Sequence, residues 1–67
     1  MAMTLKAARA NKNLTQKEAA ELLNISVDCL SNYERGITFP DIPVLKRIEQ
    51  IYGIEYKDII FLPNNTV

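Results

Sequence analysis

The stretch TQKEAAELLNISVDCLSNYERG, residues 15–36, leaves few choices of fold, because it holds two helix starts and two helix stops in quick succession. Thr15 followed three residues later by Glu18 is a capping box: the hydroxyl takes the Glu18 N–H and the carboxylate returns to the Thr15 N–H. That marks a helix from Gln16 to Leu23, with Ala19, Ala20 and Leu23 on one face and two alanines that let another helix approach closely. Asn24 stands at its end, where the backbone usually takes positive φ and asparagine is the most tolerant residue after glycine. Ser26 then caps a further helix that runs to Arg35 and stops at Gly36. The turn between the two helices is only about three residues.

The same signals organise the rest of the chain. Thr4 caps a first helix reaching about Lys12, with Leu5 and Ala8 inward and Asn13 at its exit. Asp41 as cap and Pro43 in the first turn open a fourth, whose Val44, Leu45, Ile48, Ile51 and Tyr52 follow helical spacing before Gly53 ends it. Tyr56 to Leu62 reads as a last short helix, poorly capped by Glu55 and terminated by Pro63, with 63–67 fraying beyond it. The expectation is all-α: five helices, no strand, one domain over 1–67 with its core about 4–62.

Composition excludes several function classes. Sixty-seven residues with one cysteine and no histidine allow no internal disulfide and disfavour a zinc site. A core this small without either is marginal, so tight helix packing or a partner chain is expected. The start MAMTLKAARANK has no apolar stretch suited to a signal peptide, and no run of about 18 apolar residues suits a membrane span. A cytoplasmic location is expected, and the Asn64-Asn65-Thr66 sequon then counts as chance. With no histidine, no glycine-rich phosphate loop and no nucleophile beside a base, neither enzyme activity, a cofactor nor a small-molecule ligand is expected.

Taken together, Leu14-Thr15-Gln16, Ala19-Ala20, Leu23, Ser26, Leu30-Ser31, Tyr33-Glu34-Arg35-Gly36, Pro40, Leu45, Ile48 and Gly53 carry a resemblance. The run is similar to the Cro/repressor-type helix-turn-helix family, also called XRE-like or lambda-repressor-like, and covers roughly residues 4–62. That resemblance implies a compact five-helix double-stranded DNA-binding domain, usually a homodimer on a pseudo-palindromic operator, acting as a transcriptional regulator in bacteria, phages or mobile elements.

On the helix after Ser26, Leu30 and Tyr33 share one side and must face the core, which turns Asp28, Ser31, Asn32 and Arg35 outward. By family position the base-facing residues are Val27, Asp28 and Asn32. Asparagine can bond adenine at two atoms, valine packs on a thymine methyl, and aspartate accepts from the cytosine amino group, so such a helix reads without cations. Each has a plainer reading too: Val27 as first-turn packing, Asn32 and Asp28 as solvated residues, Asp28 also as a partner for the helix dipole. The candidate DNA-binding set is Gln16, Lys17, Ser26, Val27, Asp28, Ser31, Asn32, Arg35 and Thr38. Gln16 resembles the family glutamine that bonds a phosphate. Arg9 reads either as a phosphate clamp or, by the family arrangement, as a structural ion pair with Glu34.

The chain departs from the family in charge. Eight basic residues balance eight acidic ones, and after Gly36 the loop is Ile37, Thr38, Phe39, Pro40 where the family often carries cations. Phosphate neutralisation supplies most non-specific affinity, so modest DNA binding is expected, and pairing of two copies is the natural remedy. The apolar run Ile54 to Leu62 offers Ile60 and Leu62 as a dimer contact, or alternatively closes the core. A second reading stays open: a protein-interaction module, adaptor or antitoxin-like, that keeps the fold with weak DNA binding.

Overall fold

A computed structural model describes residues 2–61. The chain begins with a two-residue strand, β1 (Met3–Thr4), and continues through α1 (Leu5–Asn11), α2 (Gln16–Leu23), α3 (Val27–Arg35) and α4 (Ile42–Tyr52). A single 3-10 turn, Tyr56–Asp58, then leads into a second short strand, β2 (Ile59–Ile60).

Each helix opens on a side-chain oxygen that takes a backbone N–H. Thr4 receives Ala7 N–H at 3.1 Å, Thr15 receives Glu18, Ser26 receives Cys29 at 3.0 Å, and Asp41 receives Val44 at 3.1 Å. The capping box is complete, since the Glu18 carboxylate also accepts the Thr15 N–H at 2.9 Å. That bond to the backbone is the main reason the Glu18 carboxyl lies below its usual range. The stops are equally local: Asn13 and Asn24 sit at φ 59° and 60°, while Gly36 and Gly53 take 77° and 65°.

The core is built where the helical faces meet. Leu23, Leu30 and Ile48 are its largest fully enclosed side chains, one each from α2, α3 and α4, and Ala19 and Ala20 let α2 lie close against its neighbours. Leu5 and Ala8 of α1, Val44 and Tyr52 of α4, and Ile59 complete it. No helix among the described residues is long and apolar enough to cross a membrane.

The expected fifth helix does not form. Glu55 makes no side-chain bond to the turn it precedes, leaving one 3-10 bond from Asp58 N–H to the Glu55 carbonyl. The next residues, Ile59 and Ile60, are β-branched: a helix would freeze their side chains, whereas extended backbone suits them. They pair in parallel with the start of the chain, Met3 against Ile59 and Thr4 against Ile60. The described residues therefore form four α-helices closed by a two-residue parallel ladder, and the expectation of no strand was wrong. Leu62 and residues 63–67 lie outside the described residues.

Candidate nucleic-acid interface

The helix α3 is clamped along one side and open along the other. On the inward side Leu30 is fully enclosed and Glu34, the buried charged residue of the described chain, is 7 % exposed. A buried carboxylate is tolerable only if paired and hydrogen-bonded. Here Arg9 supplies two donors, Nε at 2.7 Å and a terminal nitrogen at 3.2 Å, and Gln16 Nε2 supplies a third at 3.1 Å. The remaining terminal nitrogen of Arg9 donates to the Leu14 carbonyl at 2.9 Å. One guanidinium and one carboxylate thus join α1, the turn before α2, the first residue of α2 and the last turn of α3. The bond to Glu34 is also what raises the Arg9 pKa above its ordinary value, against the opposing cost of burial.

Tyr33, half-buried, packs against the core edge, and its hydrogen bond with Cys29, aided by burial, pushes its hydroxyl up to about 12. The carbonyl of Asn32 accepts Ile37 N–H at 2.9 Å and Thr38 N–H at 3.5 Å, so the loop after α3 folds back over the helix end. Arg47 of α4 reaches the Leu23 carbonyl at 3.4 Å, at the C-terminal end of α2 where carbonyls lack helical partners.

The other side of α3 faces outward. Val27 is 40 % exposed, Asp28 and Arg35 are exposed, and Ser31 and Asn32 are half-buried. Ser26, at the N-cap, and Lys17, in the first turn of α2, are exposed as well, as is Thr38 beyond the C-cap. The candidate set therefore falls on three adjoining pieces of chain: the start of α2, the outward stripe of α3 and the loop that follows. Arg9 is drawn inward to Glu34, away from the role of a phosphate clamp. Gln16 has a bond the sequence did not suggest: its amide nitrogen donates to Glu34, although that nitrogen carries a second hydrogen. Leu14, whose carbonyl holds Arg9, also gave no sign in the sequence, since its role depends on a side chain from the preceding helix. Ile60 is 46 % exposed, on β2 and apart from this face.

Comparison with known families agrees with this architecture: the family model described as helix-turn-helix matches residues 5–59. The chain belongs to this helix-turn-helix family. It is the XRE-type branch that the motif residues resembled. Among curated relatives it is 48 % identical over 50 residues to the HTH-type transcriptional regulator ImmR of Bacillus subtilis (strain 168), covering 75 % of this chain and 39 % of that protein. It is 32 % identical over 56 residues to the HTH-type transcriptional activator BcrR of Enterococcus faecalis, covering 84 % of this chain and 28 % of that protein. The chain therefore spans well under half the length of either relative.

Proposed function

We propose that this helix-turn-helix chain binds double-stranded DNA in a sequence-specific way as part of a transcriptional regulator, laying α3 in the major groove as a homodimer on a pseudo-palindromic operator. The observation that carries the reading is the contrast between the two sides of α3: a buried, triply bonded Glu34 on one, and exposed Asp28 and Arg35 with half-buried Asn32 on the other, Val27 being exposed at the helix start. A helix held this firmly at its inner face presents its outer side chains in fixed register, which base readout requires. The names of the two relatives, both of them transcriptional regulators, support the same conclusion.

Roles follow from chemistry. Asn32 reads adenine with its amide, Val27 meets a thymine methyl, and Asp28 accepts from cytosine. Gln16 keeps one amide hydrogen on Glu34 and offers the other to a phosphate, while Lys17, Arg35 and the Ser26, Ser31 and Thr38 hydroxyls hold the backbone. With so few cations the salt dependence is shallow.

Selection of sites from a random DNA pool by wild type and by Asn32→Ala tests this. The expected result is a loss of about 1 to 3 kcal/mol in specific affinity and relaxation of one adenine-containing position, with helical content unchanged. An identical selected site for both proteins would refute the reading. The exposed, uncharged Ile37 and Phe39 of the loop favour the second reading, a protein-interaction module. No salt-dependent binding of random duplex DNA by the wild type would decide for it.

A further inference from the structure

The ion pair that holds α3 has a neighbour with no bond to it. Tyr52, the last residue of α4, is 3 % exposed, and its hydroxyl is a buried polar atom without a hydrogen-bond partner among the described residues. Leaving such a group unbonded is costly, so its presence in a core this small needs a reason. Burial raises its pKa most, the Glu34 carboxylate raises it further and the Arg9 guanidinium lowers it, which puts the hydroxyl within electrostatic reach of both members of the pair.

The Glu34 carboxylate is held unevenly. Its Oε2 takes the short bond from Arg9 Nε, 2.7 Å, while Oε1 takes two longer ones, 3.2 Å from Arg9 and 3.1 Å from Gln16. The Arg9 bonds lie inside the molecule, but Gln16 is half-buried at the start of α2, on the candidate DNA face. A phosphate that takes the second hydrogen of its amide draws on the nitrogen that also serves Glu34. Any lengthening of that 3.1 Å bond under-satisfies a carboxylate whose side chain is 3 % exposed. A donor already buried beside the carboxylate, with its proton uncommitted, removes the penalty. Tyr52 fits that description, since its hydroxyl can turn and donate.

We propose that the Tyr52 hydroxyl is a reserve donor to Glu34, turning onto the carboxylate as a DNA phosphate loosens the Gln16 amide, and that Tyr52 is thereby a positioning residue for the Gln16 contact. The inference rests on the reading that Gln16 meets a phosphate, and gives the amide the means to do so: part of its hold on the core is replaced from α4. A helix to which no DNA contact is assigned then sets the strength of a contact made by α2.

Two mutant cycles on wild type, Tyr52→Phe, Gln16→Ala and the double variant test it. The first is a urea melt without DNA. In wild type Tyr52→Phe should leave the folding equilibrium unchanged or raise it, because the hydroxyl has no partner. In Gln16→Ala, where the amide is gone, the same change should lower it at least about tenfold, the worth of one hydrogen bond to a charged group. A tyrosine that only fills space has one effect in both backgrounds, and that outcome overturns the inference. The second cycle measures affinity for the duplex selected from the random pool. Tyr52→Phe should bind several-fold more weakly than wild type with the same selected sequence, and should change nothing in Gln16→Ala, which has no amide to release. Tyr52→Phe binding as tightly as wild type, or equal losses in the two backgrounds, would overturn it as well. Circular dichroism confirms helical content, and Gln16→Met, close to glutamine in length, replaces alanine if the start of α2 loosens. The two proposals fail separately. If none of the four proteins binds duplex, the DNA reading falls, and the positioning role with it, whatever the melts show. If wild type binds and Tyr52→Phe acts alike in both melts, only the reserve donor falls.

Discussion

The two ends of the chain are held by different kinds of force. From Arg9 to Gly36 the structure is fixed by directed polar bonds: caps at Thr15 and Ser26, and a buried carboxylate with three donors. From Ile54 to Phe61 apolar contact does most of the holding, with Ile59 in the core and an aromatic cluster, beside a short ladder of two residues on each strand and the Tyr56 N–H bond to Glu49. Directed bonds hold a helix at one angle, whereas apolar contacts adapt more readily.

The sharpest contrast is between two ion pairs. Arg9→Ala strands the carboxylate of Glu34, whose side chain is 3 % exposed, and should lower stability by roughly 3 to 5 kcal/mol in a urea melt. Lys57→Ala removes a pair with Glu55 whose side chains are 76 % and 70 % exposed, and the same melt should not move. Equal losses would mean that burial does not separate the two regions.

Caps give the next largest difference. Thr15→Ala and Ser26→Ala should each cost about 1 kcal/mol, whereas Glu55→Ala, which removes no capping bond, should leave stability unchanged. The box also sets an acid limit. Glu18 has a lowered folded-state pKa, so its contribution is present above the ordinary carboxylate value and lost as pH falls through the folded one. Glu18→Gln should flatten that limb of the stability profile.

The smallest effect is expected at Tyr52, where α4 carries the one buried side-chain polar atom that lacks a hydrogen-bond partner among the described residues. Tyr52→Phe should match wild type at neutral pH or exceed it by up to about 1 kcal/mol, since an unpartnered hydroxyl is costly to bury. Burial, and after it the Glu34 carboxylate, pushes this hydroxyl from 10.0 to about 12. The unfolded chain therefore loses its proton first as pH rises, and wild type gives up at most about 1.4 kcal/mol per unit through that window. The phenylalanine variant should lack that part of the decline.

The same division explains what could be read from the sequence. Every boundary of α2 and α3 depends on residues within four positions of each other, such as Thr15 with Glu18 or Ser26 with Cys29, and each was foreseen. The outward stripe of α3 was legible for the same reason, being fixed by Leu30 and Tyr33 nearby. The ladder joins opposite ends of the chain, and nothing around Ile59 and Ile60 names Met3 and Thr4 as partners. Their apolar pattern therefore passed for a helix. The Gln16 bond was hidden likewise: its acceptor, Glu34, lies on the next helix, 18 residues away, and an amide at the start of a helix looks the same whether it serves DNA or the protein itself.

The parallel sense of that ladder has a mechanical side. Because β1 and β2 run the same way, a pull that separates the two ends of the chain acts along the strands in opposite directions and loads the ladder in shear. Its hydrogen bonds must then break together rather than unzip one by one. Tension applied through the chain beyond Phe61 would meet this small clasp first, and α1 to α4 would feel it only after the clasp gave way.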